Sequence, residues 1–332
     1  MAERFDLVAV GDALVDVIAP CDLGFLAAEG LIADGWTRIE AARAIALQAR
    51  MAEGVMVPGG SGANTACGVA MLGGRAGFVG KVGDDTLGLV FSDALSASGV
   101  AYATPPAKGA ATGRSLINVT PDGLRSMATC IGAAAELAIA DLDSDWVVRA
   151  RMVKLEAYLF QTEPGRALAL HAAELARAAG GKVALSLSSA SVVRLKREPL
   201  LDFVERLADV VLGDVEEVEA LLGAPAEAAS AVMPAGRTLA VTLGAKGSLI
   251  AAGGETVRLP AWPVERVVDT TGAGDQYAAG LLFGLARGLP PVRAGELGSR
   301  CAAEVITQPG PRPQRPLRSL SLAFGVGPGD DA

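Results

Sequence analysis

The chain has 332 residues, of which 51% are hydrophobic and 20% are charged, a balance that indicates a folded globular protein with a sizeable core. Its 29 Lys and Arg residues against 37 Asp and Glu residues give a formal net charge of −8 at pH 7, which argues against nucleic acid or an anionic membrane as a partner. The single histidine, His171, argues against a Ser-His-Asp triad and a histidine-rich metal site.

The sequence shows no sign of a membrane span or of secretion. No uninterrupted apolar run approaches the roughly 20 residues of a membrane span. The first ten residues are too short and too acidic for a signal peptide. The four cysteines lack the spacing of a metal site, and we interpret them as reduced thiols. These observations predict a cytoplasmic protein.

The first predicted strand is the apolar run over residues 5–10, which ends at Gly11-Asp12. Ligands of open α/β sheets bind at the carboxyl ends of the strands. Asp12 is therefore a candidate ligand contact, and Asp16 lies four residues further on. Taken alone, the two carboxylates are more typical of an ordinary turn.

A glycine-rich segment at residues 58–62 leads into a predicted helix, after an excursion from the main sheet over residues 14–57. Gly59 and Gly60 let the backbone approach a ligand closely. Asn64 lies in the first turn, off the apolar face of the helix. The same pattern is also typical of a plain helix start with a surface asparagine.

From residue 76 onward, strands and helices alternate. Strands are predicted over residues 76–82, 157–161, 182–188, 210–213 and 239–243, with helices over 86–98, 166–179, 192–207 and 215–222. Two β segments (115–120 and 125–129), a hairpin over 248–259 and closing helices over 274–287 and 292–307 complete the pattern, before a proline-rich tail from Pro309 that we expect to be irregular. The alternation predicts an α/β fold with a doubly wound, mostly parallel sheet.

The segment Asp269-Thr270-Thr271-Gly272-Ala273-Gly274-Asp275 opens the first closing helix. Its two glycines allow an anion to approach the backbone, and the free N–H groups of a helix start carry positive partial charge. Asp275 is a candidate to orient or deprotonate an attacking hydroxyl. A capped helix start with glycines for the turn is the structural alternative.

Two common nucleotide motifs are absent. Gly80-Lys81 is followed by Val82, so no G-x-x-x-x-G-K-[ST] loop is present, and no G-x-G-x-x-G follows the first strand. Both Walker-type NTPases and dinucleotide-dependent dehydrogenases are therefore disfavoured.

Several motifs resemble those of the ribokinase (PfkB) family of sugar and nucleoside kinases, in its order and over about residues 5–310. They are Gly11-Asp12 with Asp16, residues 59–64, residues 80–85, residues 242–247 and the segment 269–275. The likeness is greatest to bacterial adenosine kinase-like members, through residues 25–51, 112–127 and 155–158.

The resemblance implies a role for each matching residue. Asp275 would be the catalytic base, and the backbone of Gly272, Ala273 and Gly274 would hold the transferred phosphoryl group. Substrate contacts would come from Asp12, Asp16, Gly59, Gly60 and Asn64, and nucleotide contacts from Thr242, Gly244, Gly247 and Thr271. The metal site would use Glu217 and Asp214, although the family has Asn where Asp214 stands, which adds a negative charge there.

The resemblance also implies a domain arrangement. Residues 1–13, 58–100 and 131–332 would form the nucleotide- and substrate-binding α/β domain, and residues 14–57 and 101–130 a small β lid. The protein would be a monomer or a homodimer through the lid.

The function implied is transfer of phosphate from ATP, with Mg²⁺ and a monovalent cation such as K⁺, to a primary hydroxyl. Adenosine, converted to AMP, is the first candidate acceptor. Ribose, fructose and 2-keto-3-deoxygluconate are alternatives, as is a catalytically silent sugar or nucleotide sensor. The intact Asp275 argues against a silent protein.

Overall fold

The computed structural model describes residues 3–33, 35–122, 124–228, 231, 233 and 235–327. Its centre is a nine-stranded sheet in the order β14-β13-β12-β11-β10-β9-β1-β5-β6. All neighbours are parallel except β13, which is antiparallel to both β12 and β14. The strands are β1 Phe5–Val10, β5 Ala76–Val79, β6 Ala101–Tyr102, β9 Ala150–Glu156, β10 Lys182–Ser186, β11 Val210–Asp214, β12 Thr238–Thr242, β13 Ser248–Ala252 and β14 Glu255–Leu259. The predicted mostly parallel α/β sheet is confirmed.

Helices cover both faces of this large sheet. Successive residues of β1 alternate between the faces: Leu7 and Ala9 belong to one apolar cluster, Val8 and Val10 to the other. The Leu7 face carries α3 Ser61–Met71, α4 Thr86–Ala97, α10 Ala273–Ala286 and α11 Pro291–Val305. The Val8 face carries α5 Ser144–Val148, α6 Glu163–Ala178, α7 Ala190–Leu195, α8 Arg197–Arg206 and α9 Val215–Leu222. None of the helices in the described residues is both long and apolar enough to cross a membrane.

A second sheet of five strands, in the order β3-β8-β7-β2-β4, lies beside the first. Its strands are β2 Leu14–Pro20, β3 Trp36–Arg38, β4 Val55–Pro58, β7 Gly113–Val119 and β8 Arg125–Cys130. The helices α1 Leu23–Ala28 and α2 Ala41–Gln48 share a small core with it. We call these strands the lid sheet. Residues 101–102 pair with β5 in the large sheet, so the second lid segment begins only at Gly113; the domain division itself stays a prediction.

Two elements differ from the sequence prediction. Residues 157–161 form a 3₁₀ helix, and the strand in this region is β9, just before them. The charges of Lys154 and Glu156 interrupt the apolar pattern of β9 and hid it. The single helix predicted over 192–207 is two helices that meet at Lys196. Pro199 explains the break, because a proline ring clashes with the carbonyl four residues earlier in a continuous helix.

The proline-rich tail is more ordered than predicted. Residues Arg318–Ala323 form a short helix, α12, and Leu317, Phe324 and Val326 are buried against the core of the large sheet. The hydroxyl of Ser321 donates a hydrogen bond of 2.7 Å to the carbonyl of Leu72. Residues 328–332, including the last proline of the tail, lie outside the described residues.

Candidate active site

The link between β1 and β2 and the start of α3 meet at the mouth of the site. Gly60 has a φ of 88° and lies so close to this link that a Cβ on it would be 2.3 Å from the carbonyl oxygen of Asp12. A Cβ on Gly59 would lie 2.7 Å from Oδ2 of Asp16. The two glycines therefore let the helix start approach the backbone of Asp12 and the carboxylate of Asp16.

The start of α10 has the geometry expected of a site for an anion. Gly272 has a φ of 77°, and a Cβ there would be 2.4 Å from the carbonyl oxygen of Pro311. A Cβ on Gly274 would meet no atom within 4 Å, so this side of the helix start is open. The N–H of Ala273 donates 3.2 Å to the carbonyl of Thr270, whereas the N–H groups of the first turn that lack an intrahelical partner remain accessible to a phosphate.

Asp275 faces Asn64 across the cleft. The Nδ2 of Asn64 donates a hydrogen bond of 2.9 Å to Oδ2 of Asp275. Burial raises the pKa of Asp275, while the charge of Lys154 and hydrogen bonds from Asn64 and Ser61 lower it. A carboxylate with a raised pKa is a better proton acceptor than a free one, which suits a general base.

One cleft of about 540 Å³ brings most of the predicted site residues together. It is lined by Asp12, Asp16, Gly60, Asn64, Asp214, Glu217, Thr242, Thr271, Gly274 and Asp275. Gly244 lines an adjoining groove of about 480 Å³, which shares Asp214 and Thr242 with the cleft. The predicted acceptor and nucleotide sides therefore meet in one continuous space.

Gly247 lines neither cavity. Its φ is 92°, and a Cβ on it would lie 1.9 Å from the carbonyl oxygen of Leu259. Its N–H donates to Gly244, and its carbonyl accepts from Leu243. Gly247 therefore shapes the loop, whereas direct nucleotide contact by this residue stays a prediction.

The predicted metal ligands cap α9. The backbone N–H of Glu217 donates 2.8 Å to Oδ1 of Asp214, and the N–H of Asp214 donates 3.0 Å to Oε2 of Glu217. Each carboxylate keeps one oxygen outside the cap. Burial, and then the Asp214 charge, raise the pKa of Glu217 to about 7.

This donor set fits Mg²⁺. Within the described residues, no group of three or more His, Cys, Asp or Glu side chains could hold a metal ion. Mg²⁺ is typically bound through one or two carboxylates, with water and phosphate oxygens completing its shell. Asp214 and Glu217 are the pair that would hold it here: both line the cleft, and Asp214 also lines the groove.

The acceptor end of the cleft is rich in carboxylates with raised pKa values. Burial and the neighbouring Glu156 raise the pKa of Asp12 to about 7, and Arg38 opposes this effect. Burial raises the pKa of Asp16 to about 7, against the lowering effect of Arg312. With such a pKa, each carboxyl group can accept a hydrogen bond from a hydroxyl when ionised and donate one when protonated.

Sequence reasoning missed a cation from the lid sheet. Arg125 donates to the Thr271 hydroxyl and, at 2.9 Å, to Oδ1 of Asp269. Burial alone would raise the pKa of Asp269, but hydrogen bonds from Gly310 and Thr271, together with Arg125, hold it at about 2. Arg125 thus ties the lid sheet to the loop before α10. Its place in the family-like run 112–127 was the available signal.

A buried ion pair was missed as well. Lys154 is 0% exposed and Glu156 is 1% exposed, and Lys154 Nζ lies 3.1 Å from Oε1 of Glu156. The same Nζ donates 3.1 Å to the Ser61 hydroxyl at the start of α3. Charged residues are almost never fully buried unless paired. Two charges in an otherwise apolar strand were the signal for a site at this point.

The geometry of the site agrees with the family and the relatives that the sequence matches. The pattern of the pfkB family carbohydrate kinases matches residues 36–318. A probable sugar kinase protein from Rhizobium etli CFN 42 is 35% identical, with a TM-score of 0.89 over 98% of this chain and 99% of that chain. The adenosine kinase from Sinorhizobium meliloti is 39% identical, with a TM-score of 0.88 over 96% and 99%. A fructokinase from Klebsiella pneumoniae is 31% identical over 76% of this chain and 87% of its own length.

The family pattern spans most of the chain, and these relatives match nearly all of their own length. The cleft places a carboxylate at an open helix start, an arrangement that suits phosphoryl transfer. The chain therefore belongs to the PfkB family of carbohydrate kinases, which are phosphotransferases with an alcohol group as acceptor.

Proposed function

We propose that the protein transfers the γ-phosphoryl group of ATP to the 5′-hydroxyl of a nucleoside, with adenosine as the substrate and AMP as the product. The observation that carries the proposal is the cleft in which Asp275 and the open side of Gly274 face Asp16 and Asn64. Family membership implies ATP use and typically a divalent metal ion.

The choice of a nucleoside rests on the lining of the acceptor end. Leu14, Met127 and Ile131 line the cleft together with Asp16. An aromatic base would bury apolar surface against these side chains, whereas a free sugar offers mostly hydroxyls. The 39% identity to the Sinorhizobium meliloti adenosine kinase over 96% of this chain favours the same acceptor.

The chemistry follows from the positions of the groups. Asp16 and Asn64 would hold the ribose hydroxyls. Asp275 would take the proton of the 5′-hydroxyl while the 5′-oxygen of the nucleoside forms a bond to the γ-phosphorus. The bond from this phosphorus to the β–γ bridging oxygen breaks, and ADP leaves with that electron pair. The N–H groups of Gly272 and Gly274 would stabilise the charge on the transferred group, each donor being worth about 2.7–4 kcal/mol. The N–H of Ala273 would have to leave the carbonyl of Thr270 to join them. Mg²⁺ at Asp214 and Glu217 would supply charge neutralisation to the phosphates.

An ADP-release assay with adenosine, inosine, ribose, fructose and 2-keto-3-deoxygluconate tests the acceptor. We expect adenosine to give the highest kcat/KM and chromatography to identify AMP. A sugar kinase is the second candidate, favoured by the 31% identity to the Klebsiella pneumoniae fructokinase. A higher kcat/KM for fructose or another free sugar would replace the nucleoside proposal with this one.

Replacement of Asp16 by Ala should weaken acceptor binding by about 10- to 10²-fold, because a hydrogen bond to a charged group contributes about 1.5–3 kcal/mol. ATP binding should not change, since Asp16 lies on β2 of the lid sheet, whereas Gly244 lines the adjoining groove. Calorimetric titrations with adenosine and with a non-hydrolysable ATP analogue measure the two affinities separately. Equal losses for both ligands would contradict the assignment of Asp16.

Replacement of Asp214 by Asn should change the Mg²⁺ dependence without unfolding α9, because Asn caps a helix as well as Asp does. The substitution removes the charge that raises the pKa of Glu217, so this pKa should fall and Glu217 should be more fully ionised at neutral pH. A Mg²⁺ titration of kcat for the variant and the wild type measures the effect. Superimposable titrations would show that Asp214 takes no part in metal binding.

A further inference from the structure

Residues 310–312, near the C-terminus, pack against the segment that carries Asp275, although the two segments are far apart in sequence. Nε2 of Gln276, the residue after Asp275, donates 3.1 Å to the carbonyl of Pro311 and 3.0 Å to the carbonyl of Asn64. The N–H of Gly310 donates 3.0 Å to Oδ2 of Asp269. Residues 310–311 are thus fixed to both ends of the segment 269–276.

Arg312, the next residue, contacts the side chain that holds the base. Its Nε donates 2.9 Å to Oδ1 of Asn64, and Nδ2 of the same amide donates 2.9 Å to Oδ2 of Asp275. A guanidinium has only donors, so it can bind only the oxygen of the amide. The amide nitrogen must then face the carboxylate, and Asn64, only 4% exposed, has little room for another arrangement.

We propose that Arg312 is a positioning residue for Asp275: by holding the amide oxygen of Asn64, it keeps the amide nitrogen on Oδ2 and so fixes the orientation of the carboxylate toward the acceptor hydroxyl. The inference rests on the role of Asp275 in the proposed function. Oδ2 is committed to Asn64, so the carboxylate cannot rotate freely, and a base held in place contributes more than a mobile one.

Loss of Arg312 should also change the proton affinity of the base. Without the guanidinium, the amide of Asn64 can turn its oxygen toward Asp275, which favours the protonated carboxyl and raises its pKa further. The acidic limb of the kcat–pH profile should then move to higher pH. The other groups around Asp275 are Asp16 on β2, Ser61 on α3, Lys154 and Glu156 on β9, and Glu217 on α9. Arg312 also lowers the pKa of Asp16, so the pH profile of Arg312→Met is measured in the Asn64→Ala background as well. An upward shift that persists there comes from Asp16 and not from the amide of Asn64.

The test compares Arg312→Met, which removes every donor, with Arg312→Lys, which keeps one. Arg315→Met is the matched control, because Arg315 lies in the same segment but pairs with the surface residue Glu304. We expect Arg312→Met to lower kcat by about 10- to 10²-fold and to shift the acidic limb upward. Arg312→Lys should recover part of the lost kcat and show a smaller shift of the acidic limb. Arg315→Met should have the kcat and pH profile of the wild type.

A double-mutant cycle with Asn64→Ala separates positioning from a general effect of the tail. If Arg312 acts through Asn64, the Arg312→Met change should cost little once Asn64 is gone. Two results would overturn the proposal. One is a double variant whose loss of kcat equals the product of the two single losses, and the other is an Arg312→Met variant with the pH profile of the wild type. If Arg312→Met unfolds, the same comparison of pH profile and cycle is made with Arg312→Lys.

Failure of the proposed function would give different experimental results from failure of the positioning role of Arg312. A wrong acceptor shows as wild-type enzyme that releases no ADP with adenosine, and the comparison is then run with the acceptor that is turned over. A wrong base shows as an Asp275→Asn variant that keeps its turnover. The positioning role alone fails when Asp275→Asn is inactive and Arg312→Met has the kcat and profile of the wild type.

Discussion

Replacement of Asp275 by Asn is expected to lower kcat by about 10²-fold or more, because a positioned general base typically contributes about 10²- to 10⁴-fold. Asn has almost the same shape, and its oxygen can still accept the hydrogen bond that Asn64 donates to Oδ2. It cannot take the proton of the attacking hydroxyl. Steady-state kinetics with saturating ATP and acceptor measure the loss.

The same substitution should leave the fold intact or make it more stable. Burial raises the pKa of Asp275, so the folded protein disfavours the ionised carboxylate above that pKa, and a neutral amide removes this cost. A thermal unfolding midpoint at or above that of the wild type is therefore the expected control. An Asn variant with near-wild-type turnover would remove Asp275 from the mechanism.

Replacement of Gly274 by Ala separates catalysis from stability. A Cβ at this position meets no atom of the protein within 4 Å, and Ala in a helix is more stable than Gly by about 0.5–1 kcal/mol. The added methyl would instead occupy the open side of the helix start, where a phosphate has to approach. We expect kcat/KM for ATP to fall by about 10²-fold or more, the size of effect seen when an oxyanion donor is lost.

Replacement of Gly272 by Ala provides the contrast. Its φ of 77° is unfavourable for Ala, and the new Cβ would be 2.4 Å from the carbonyl oxygen of Pro311. This variant should lose both activity and stability, whereas Gly274→Ala should lose activity alone. Unfolding curves and kinetics of the two variants, measured side by side, make the comparison. A Gly274→Ala enzyme with normal kcat/KM would mean that the phosphoryl group does not pass this helix start.

The sequence predicted the parts of the fold and site that depend on local pattern. The β–α alternation after residue 76 gave the large sheet, and the glycines beside Asn64 and Asp275 marked two helix starts that the structure brings into hydrogen-bond contact. Neither glycine motif alone could show that Asn64 contacts Asp275, since 211 positions separate the two residues. Their likeness to a known family suggested it.

Two of the missed residues, Arg312 and Arg125, make contacts that join distant parts of the chain. Arg312 lies 248 positions from Asn64, in a tail whose prolines obscured any periodic pattern. Lys154 and Glu156 lie in one strand, but single-residue hydropathy cannot reveal that each is the partner of the other. Arg125 is an ordinary residue of an alternating strand until the loop at Asp269 is placed against it.

The acceptor site is divided between the two sheets. Asp16 belongs to β2 of the lid sheet, whereas Asp275 and the groove at Gly244 belong to the large-sheet layer. A nucleoside that contacts both Asp16 and Asp275 would hold the two sheets together, at the expense of part of its binding free energy. A nucleotide confined to the groove at Gly244 would not bridge the sheets in this way. By thermodynamic linkage, occupancy by the acceptor should suppress hydrogen exchange in β2 and β7 far more than occupancy by the nucleotide does.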